Sequence, residues 1–185
     1  MDPLETVVSV GPTYGKKIGN IILEKARFFG RPNFSGAEDR FKDTRRKFTV
    51  LIPNDCADQL REAGWNVKTN IPTEEELREF PDREPISHLK VMVDHIDIDE
   101  GKGPEVFVKM GEDTTQLTDK SLATLDRSRF EVMDMEIRAW EFDPEDHPGE
   151  YSARLVQFIG VMQPNRLAQK YGFLIGKAHE DVPNG

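Results

Sequence analysis

Short runs rich in β-branched and aromatic residues recur along the chain, and turn-forming segments separate them. Such runs are typical of β-strands, and the helical patterns between them are too few to alternate with them one for one. This arrangement argues against a doubly wound parallel sheet and favours a small antiparallel barrel or sandwich. The sequence therefore predicts a mainly β protein with five main strands. The strand-like runs lie within residues 17–29, 46–53, 88–98, 105–110, 129–142 and 151–162.

About two short helices are predicted between these strands. Asn54 or Asp55 is expected to cap the first helix, of about nine residues, and Gly64 to end it. Thr73 and Glu76 have the spacing of a capping box at the start of a second, acidic helix. The loop around residues 120–126 is also expected to contain a short helix.

Residues 130–142 indicate which way one strand faces. Apolar residues from Met133 to Ala139 alternate with charged residues, which predicts an apolar face toward the core and a polar face toward solvent. Trp140 falls on the polar face beside Arg138. An outward tryptophan either packs beneath a loop or terminal segment or offers a π surface to a ligand. The sequence leaves both interpretations open.

A length of 185 residues fits one domain with a single core. Residues 1–17 show no sustained hydrophobic period and are predicted to form a flexible N-terminal arm. Residues 18–163 contain the strands and are predicted to form the domain. Residues 164–185 are expected to be a C-terminal extension or tail.

Hydropathy and cysteine content limit the compartment and the class of protein. No apolar run approaches the roughly 20 residues of a membrane-spanning helix, and the acidic N-terminal segment lacks the positive charge of a signal peptide. We therefore expect a cytoplasmic protein without a membrane partner. Cys56 is the single cysteine, which excludes an internal disulfide and a cysteine-based zinc site.

Charge is distributed unevenly along the chain. The whole sequence has 34 acids against 25 bases, for a net charge of −9. Residues 25–48, however, hold eight Lys or Arg, five Phe and only three acids, and we call them the basic-aromatic segment. A chain with this asymmetry can bind a polyanion at one patch while the rest of its surface repels it.

The basic-aromatic segment has the composition that single-stranded nucleic acid requires, because cations contact the phosphates and exposed bases stack on aromatic rings. It joins the first two strands of the predicted barrel, where the OB-fold has a nucleic-acid-binding loop. Phe28 and Phe48 lie in predicted strands and are expected to be core. Phe34 and Phe41 lie in the connecting loop among cations and are predicted to contact bases. The alternative is an ordinary solvated loop.

Catalytic and metal-binding patterns are weak. Residues 11–17 lack the spacing of a phosphate-binding loop, and the four histidines have neither a metal-binding spacing nor a cysteine partner. Acidic residues crowd between Asp94 and Glu100, where they either hold Mg²⁺ or Ca²⁺ for nuclease chemistry or form a solvated strand end. We expect a non-catalytic protein with no metal and no cofactor.

The order of these elements resembles that of bacteriophage single-stranded DNA-binding proteins of the OB-fold type. The resemblance covers residues 18–163 and includes the passage in which the strand RKFTVLIP runs into the helix NDCADQLREAGW. It implies a non-catalytic protein that coats single-stranded DNA in phage replication, recombination and repair, in the host cytoplasm. Phage or host replication and recombination proteins are implied as further partners, and the oligomeric state is left open.

The resemblance also implies which residues bind DNA, since such proteins use cationic and aromatic side chains on the barrel face. Those side chains are Arg27, Phe29, Arg31, Arg40, Phe41, Lys42, Arg45, Arg46 and Lys47, with Arg138 and Trp140 as additions.

Two other functions fit the same composition. One is a non-enzymatic protein-interaction module, such as a phage assembly protein or an inhibitor of a host factor, whose basic loop contacts an acidic protein surface. The other is a metal-dependent nuclease that uses the acids between Asp94 and Glu100.

Overall fold

The computed structural model describes residues 3–15, 17–141 and 143–163. In this part of the chain the fold is mainly β, with nine strands, two α-helices and one 3-10 helix. The predicted tail, residues 164–185, lies outside the described residues. The strands are β1 (Val7–Val10), β2 (Ile21–Glu24), β3 (Lys47–Ile52), β4 (Lys68–Asn70), β5 (Ile86–Met92), β6 (Glu105–Met110), β7 (Asp113–Gln116), β8 (Phe130–Glu141) and β9 (Tyr151–Met162).

The strands form one curled sheet, a half-barrel consistent with an OB-like fold, so the predicted fold class is confirmed. The sheet order is β1-β2-β8-β9-β5-β3, while β4 pairs with β5, and β6 pairs with both β7 and β9. The pairs β5–β9 and β6–β9 are parallel, and the others are antiparallel. The strand count exceeds the predicted five. Six strands correspond to the six strand-like runs in the sequence, and the other three are β4 and β7, which are short and polar, and β1, which lies within the predicted arm.

Two predicted strands are shorter than expected. β2 ends at Glu24 because Lys25 adopts a positive φ of 54°, which turns the chain out of the extended conformation. β5 ends at Met92, and the following residues lead into a turn closed by a bridge between Asp97 and Lys102. The acids between Asp94 and Glu100 therefore lie beyond the end of β5, although the predicted strand extended to residue 98.

The two 12-residue strands β8 and β9 are the longest and form an antiparallel pair with two register shifts. Such irregularities bend a strand and increase its twist, which helps the sheet to curl. Met133, Met135 and Ile137 are buried while Trp140 is 43% exposed, so the predicted faces of this strand are confirmed.

The helices follow the sequence closely. The predicted first helix is α1 (Asn54–Glu62), which buries Ala57 and Leu60, but Pro53 occupies the cap position and no side chain caps it. The amide and carbonyl of the Asn54 side chain instead bind Pro85 and Ser87.

In α2 (Glu74–Glu79), Thr73 caps the helix by accepting a hydrogen bond from the Glu76 N–H, at 3.2 Å. The helix expected near residues 120–126 is the 3-10 helix Leu122–Arg127. None of the helices in the described residues is long and apolar enough to cross a membrane.

A cluster of phenylalanines forms part of the core and decides the position of the basic-aromatic segment. The Phe34 ring is fully buried and packs against Phe48 and Phe158, with ring centroids 5.3 and 6.0 Å away. Phe28 packs edge-on against Phe34 and Phe48. The prediction that Phe34 contacts bases is therefore wrong, because its ring is enclosed by the core although its backbone lies in a loop.

Replacement of Phe34 by alanine tests this assignment. We expect Phe34→Ala to lower the free energy of unfolding by about 3–5 kcal/mol, because it leaves a cavity in the core. Phe41→Ala is the matched control, since the Phe41 ring is 75% exposed and its loss should change stability by less than about 0.5 kcal/mol. Urea unfolding followed by circular dichroism measures both, and equal effects would contradict the assignment.

Candidate nucleic-acid interface

Four neighbouring strands align side chains in one row across the sheet. Lys47 of β3 lies opposite Met92 of β5, Met92 lies opposite Arg154 of β9, and Arg154 lies opposite Arg138 of β8. Their neighbours along each strand, such as Phe48, are buried, so this row belongs to the face that points away from the core. We call the outward face of β3, β5, β9 and β8 the outer face.

A groove of about 1050 Å³ lies on the outer face. It lies where β5 changes partner, because β5 pairs with β4 through His88 and with β9 only from Val91 onward. Leu89 and Lys90, between these two pairings, line the groove. Its charged lining consists of Arg45, Arg46, Lys68, Lys90 and Arg154 with Asp94 and Asp119, and two histidines, His88 and His95, lie beside them.

Trp140 places an exposed aromatic ring at one end of the outer face. The guanidinium carbons of Arg138 and Arg154 lie 5.1 and 4.6 Å from the centre of its ring. Asp94 binds both arginines through its two carboxylate oxygens, which holds the guanidinium groups in place. Because the ring remains 43% exposed, it can offer a flat surface to a base. The arginines supply positive charge directly beside that surface.

Phe29 and His88 form a second aromatic pair, between β5 and the segment that precedes β3. Their rings stack with centroids 4.8 Å apart, and the Phe29 N–H donates to the Thr49 carbonyl at 2.8 Å. Burial and the nearby charge of Lys68 lower the pKa of His88, which favours the neutral imidazole at pH 7. A phosphate bound beside it would shift that equilibrium toward the protonated ring.

Lys90 lies within reach of the charges of other cations on the outer face. Its pKa is lowered by burial and then by the charges of Lys47, Arg45 and Lys68. Mutual repulsion of this kind is relieved when an anion binds, so the surroundings of Lys90 favour a phosphate.

Most cations near the end of the basic-aromatic segment are already paired with carboxylates. The Asp43 carboxylate accepts hydrogen bonds from the Arg45 guanidinium and from Lys47, at 2.6–3.2 Å. The Arg45 contact and then the Lys47 contact hold the pKa of Asp43 far below its usual range. Asp39 also contacts Lys47, at 3.5 Å. These cations therefore carry structural contacts besides any contact with a ligand.

Arg46 and Asp119 connect the basic-aromatic segment to the rest of the domain. The Arg46 guanidinium donates to both carboxylate oxygens of Asp119, and the Asp119 carboxylate also accepts from the Ile96 N–H at 3.0 Å. The Arg46 contact is the main cause of a lowered pKa for Asp119. His95 contacts the same carboxylate at 3.1 Å while remaining exposed.

The predicted residues from the middle of the segment lie away from the groove lining. Phe41 is 75% exposed at the loop, and the Arg40 guanidinium lies 4.7 Å from the centre of its ring. Arg31 and Lys42 are exposed, and Lys42 has a positive φ of 60°. Arg27 is exposed beside β3, where its carbonyl accepts from the Leu51 N–H.

The acidic residues between Asp94 and Glu100 do not assemble a metal site. Asp94 is engaged by Arg138 and Arg154, and Glu100 pairs with Lys102 at 2.9 Å. Across the described residues no group of three His, Cys, Asp or Glu side chains could hold a metal ion.

Sequence analysis did not predict four residues that line the groove: Lys68, His88, Lys90 and Arg154. A usable signal existed for three of them, because Leu89, Val91, Ala153 and Leu155 are apolar and alternate with His88, Lys90 and Arg154. That pattern identifies outward residues, but it does not show that β5 and β9 are neighbours.

The chain belongs to a phage single-stranded DNA-binding domain family. The family model described as "Putative phage ssDNA-binding domain" matches residues 12–183, which is most of the sequence. No curated protein sequence is significantly similar to this one.

Some solved structures are also similar to this chain. The single-stranded DNA-binding protein from bacteriophage Enc34 in complex with ssDNA is 14% identical, with a TM-score of 0.43 over 85% of this chain and 97% of that chain. A structure described only as the single-stranded DNA-binding protein from bacteriophage Enc34 is 12% identical, with a TM-score of 0.42 over 86% of this chain and 92% of that chain.

The Arg46–Asp119 contact predicts a pH-dependent loss of stability. We expect Asp119→Asn to lower the free energy of unfolding at pH 7 by about 1.5–3 kcal/mol, because charge-assisted hydrogen bonds are lost. The folded pKa of Asp119 lies below the ordinary value of 3.8. Its contribution is thus fully present above that value and disappears as the pH falls through the folded pKa.

Denaturant unfolding at several pH values measures the difference between wild type and Asp119→Asn. Asp99→Asn, at an exposed site, serves as the matched control. A difference that stays constant down to about pH 2 would show that the Asp119 charge is not responsible.

Proposed function

We propose that this protein binds single-stranded DNA on its outer face, without sequence preference and without catalysis. The observation that carries the proposal is the alignment of Lys47, Arg154 and Arg138 across the sheet, with Trp140 held beside the two arginines. Unpaired polynucleotide requires this combination of phosphate contacts and stacking surfaces. Membership of the phage family supports the same conclusion.

The proposed path of the DNA follows the groove from Trp140 to the Phe29–His88 pair. Bases stack at Trp140 and at the Phe29–His88 pair, while Lys68, Lys90 and Arg154 contact phosphates between them. Phosphates exchange with the carboxylates of Asp43 and Asp119 at Arg45, Arg46 and Lys47. The exposed loop extends this surface through Arg27, Arg31, Arg40, Phe41 and Lys42.

The biological role that we propose is the coating of transient single strands during phage DNA replication, recombination and repair in the host cytoplasm. A binder without sequence preference suits this role because any exposed strand has to be covered. The acidic remainder of the molecule supports confined contact, since it repels DNA outside the cationic face.

A direct test uses fluorescence polarisation of a labelled oligothymidine, with a duplex of equal length as competitor. We expect tight binding of the single strand and weak competition by the duplex. Equal competition by the duplex or a lack of binding at low salt would contradict the proposal. Degradation of the oligonucleotide in Mg²⁺ or Mn²⁺ would instead indicate a nuclease.

Salt dependence tests the phosphate contact at Lys90. For single strands, log affinity decreases with log salt, and the steepness of this decrease is reduced by about 0.7 for each phosphate contact removed. We expect Lys90→Gln to make the salt dependence shallower by about this amount. Lys109→Gln, at an exposed site on β6 outside the groove, should leave the salt dependence unchanged. Equal slopes for the two variants would exclude a phosphate at Lys90.

Stacking at Trp140 gives a different signature. We expect Trp140→Ala to weaken binding of a short oligothymidine by about 1–3 kcal/mol, or roughly 5- to 150-fold, with little change in the salt slope. Phe80→Ala is the matched control, because that ring is also exposed but lies at the end of α2. Unchanged affinity of the Trp140 variant would show that Trp140 does not stack on a base.

A further inference from the structure

Helix α2 and its flanking residues present apolar side chains to solvent. None of the six residues of α2 is buried, and Leu77 and Phe80 are 38% and 55% exposed. These two residues lie three positions apart and so share one side of the helix. Ile71, just before the cap, is 76% exposed. We call residues 71–84 the α2 surface.

This apolar surface is also acidic. Residues 71–84 contain six acids and two bases, a net charge of −4. A six-residue helix is only marginally stable in water without tertiary packing. Here it has the Thr73 cap and an Arg83–Glu76 ion pair at 3.2 Å. A partner for this surface should therefore combine positive charge with apolar side chains.

The same chain contains a segment of that chemistry. Residues 165–177, NRLAQKYGFLIGK, lie outside the described part and contain three bases and no acids. They also include the apolar run Phe173–Ile175 together with Leu167 and Tyr171. We call them the basic C-terminal segment. Its charge of +3 complements the −4 of the α2 surface.

Within one molecule, the direction of the strands places the α2 surface and the end of β9, which leads to the basic C-terminal segment, at different ends of the sheet. β5 and β9 are parallel, with Val91 opposite Ala153, and α2 precedes the start of β5 at Ile86. The path along the strands from Ile86 to Gln163 covers about 15 residues, or about 50 Å at about 3.3 Å per residue. An extended chain from Gln163 to Phe173 spans at most about 36 Å. Because β9 runs from Ala153 toward Gln163 away from the start of β5, where α2 lies, we take a second copy as the partner.

We propose that the basic C-terminal segment of one copy docks on the α2 surface of the next copy. Such a contact joins two different surfaces, so head-to-tail repetition generates an open row of molecules when the rotation between copies does not close a ring. The inference rests on the proposed function and extends it, because a row of this kind would cover single-stranded DNA cooperatively. The outer face remains available to DNA, since none of residues 71–84 lines its groove.

A charge-reversal experiment on the full chain tests this contact. Glu75→Lys with Glu79→Lys changes the α2 surface, Lys170→Glu with Lys177→Glu changes the basic C-terminal segment, and a fourfold variant combines them. Glu112→Lys with Glu131→Lys is the matched control, because these exposed acids lie outside α2 and outside the groove. Binding is measured on a short oligothymidine that takes one copy and on long polythymidine.

We expect the affinities of all variants and of the matched control for the short oligothymidine to agree within about threefold. On polythymidine the wild type should bind cooperatively, and each double reversal should weaken apparent affinity at least about tenfold. The fourfold variant should regain most of that loss. Non-cooperative binding by the wild type, unchanged cooperativity in a double reversal, or no recovery in the fourfold variant would overturn the proposal.

A measurement without DNA separates this inference from the proposed function. A labelled peptide of residues 165–177 should bind the full-length Lys170→Glu, Lys177→Glu protein, whose own segment no longer competes. It should not bind a protein that also carries Glu75→Lys and Glu79→Lys. Equal binding to both proteins would refute docking on α2, whatever the DNA results. Failure of wild type to bind the short oligothymidine would refute only the proposed function.

Discussion

The burial of Phe34 is the contact on which the arrangement of the site depends. Its ring joins Phe48 and Phe158 in the core, and its backbone N–H donates to the Asp126 carboxylate at 2.6 Å. A loop rich in cations would otherwise repel itself and remain spread in solvent. Anchored at this point, the loop runs along β3 and brings residues 45–46 to the edge of the groove.

The ion pairs around this loop explain how a cationic surface is stable before it meets a ligand. Carboxylates neutralise part of the charge at the end of the basic-aromatic segment. A pair at the solvated surface, such as Arg45 with Asp43, contributes little stability, so a phosphate can replace the carboxylate at small cost. The Asp94 carboxylate, by contrast, keeps Arg138 and Arg154 beside the exposed tryptophan. These acids thus limit repulsion within the loop and hold the geometry of the proposed binding face.

Sequence patterns predicted the features that depend on near neighbours in the chain. The helix α1, the strand β3 and the two faces of β8 follow from local periodicity, and the structure confirms them. The role of Phe34 was mispredicted because a loop residue reaches the core only through contacts that are distant in sequence, such as Phe158. Lys68, Lys90 and Arg154 were missed for a related reason. Their proximity arises from the change of partner along β5, which no local pattern encodes.

The sequence alone determined that the chain is a mainly β protein, that its charge is asymmetric and that Trp140 faces outward. These properties depend on composition and on the two-residue period of a strand. Both can be read from residues that are close together in the sequence. The tertiary structure decided which cations are paired, which rings are buried and where the groove lies. Those properties depend on strand pairing between distant parts of the chain, where the curled sheet places residues from four strands on one face.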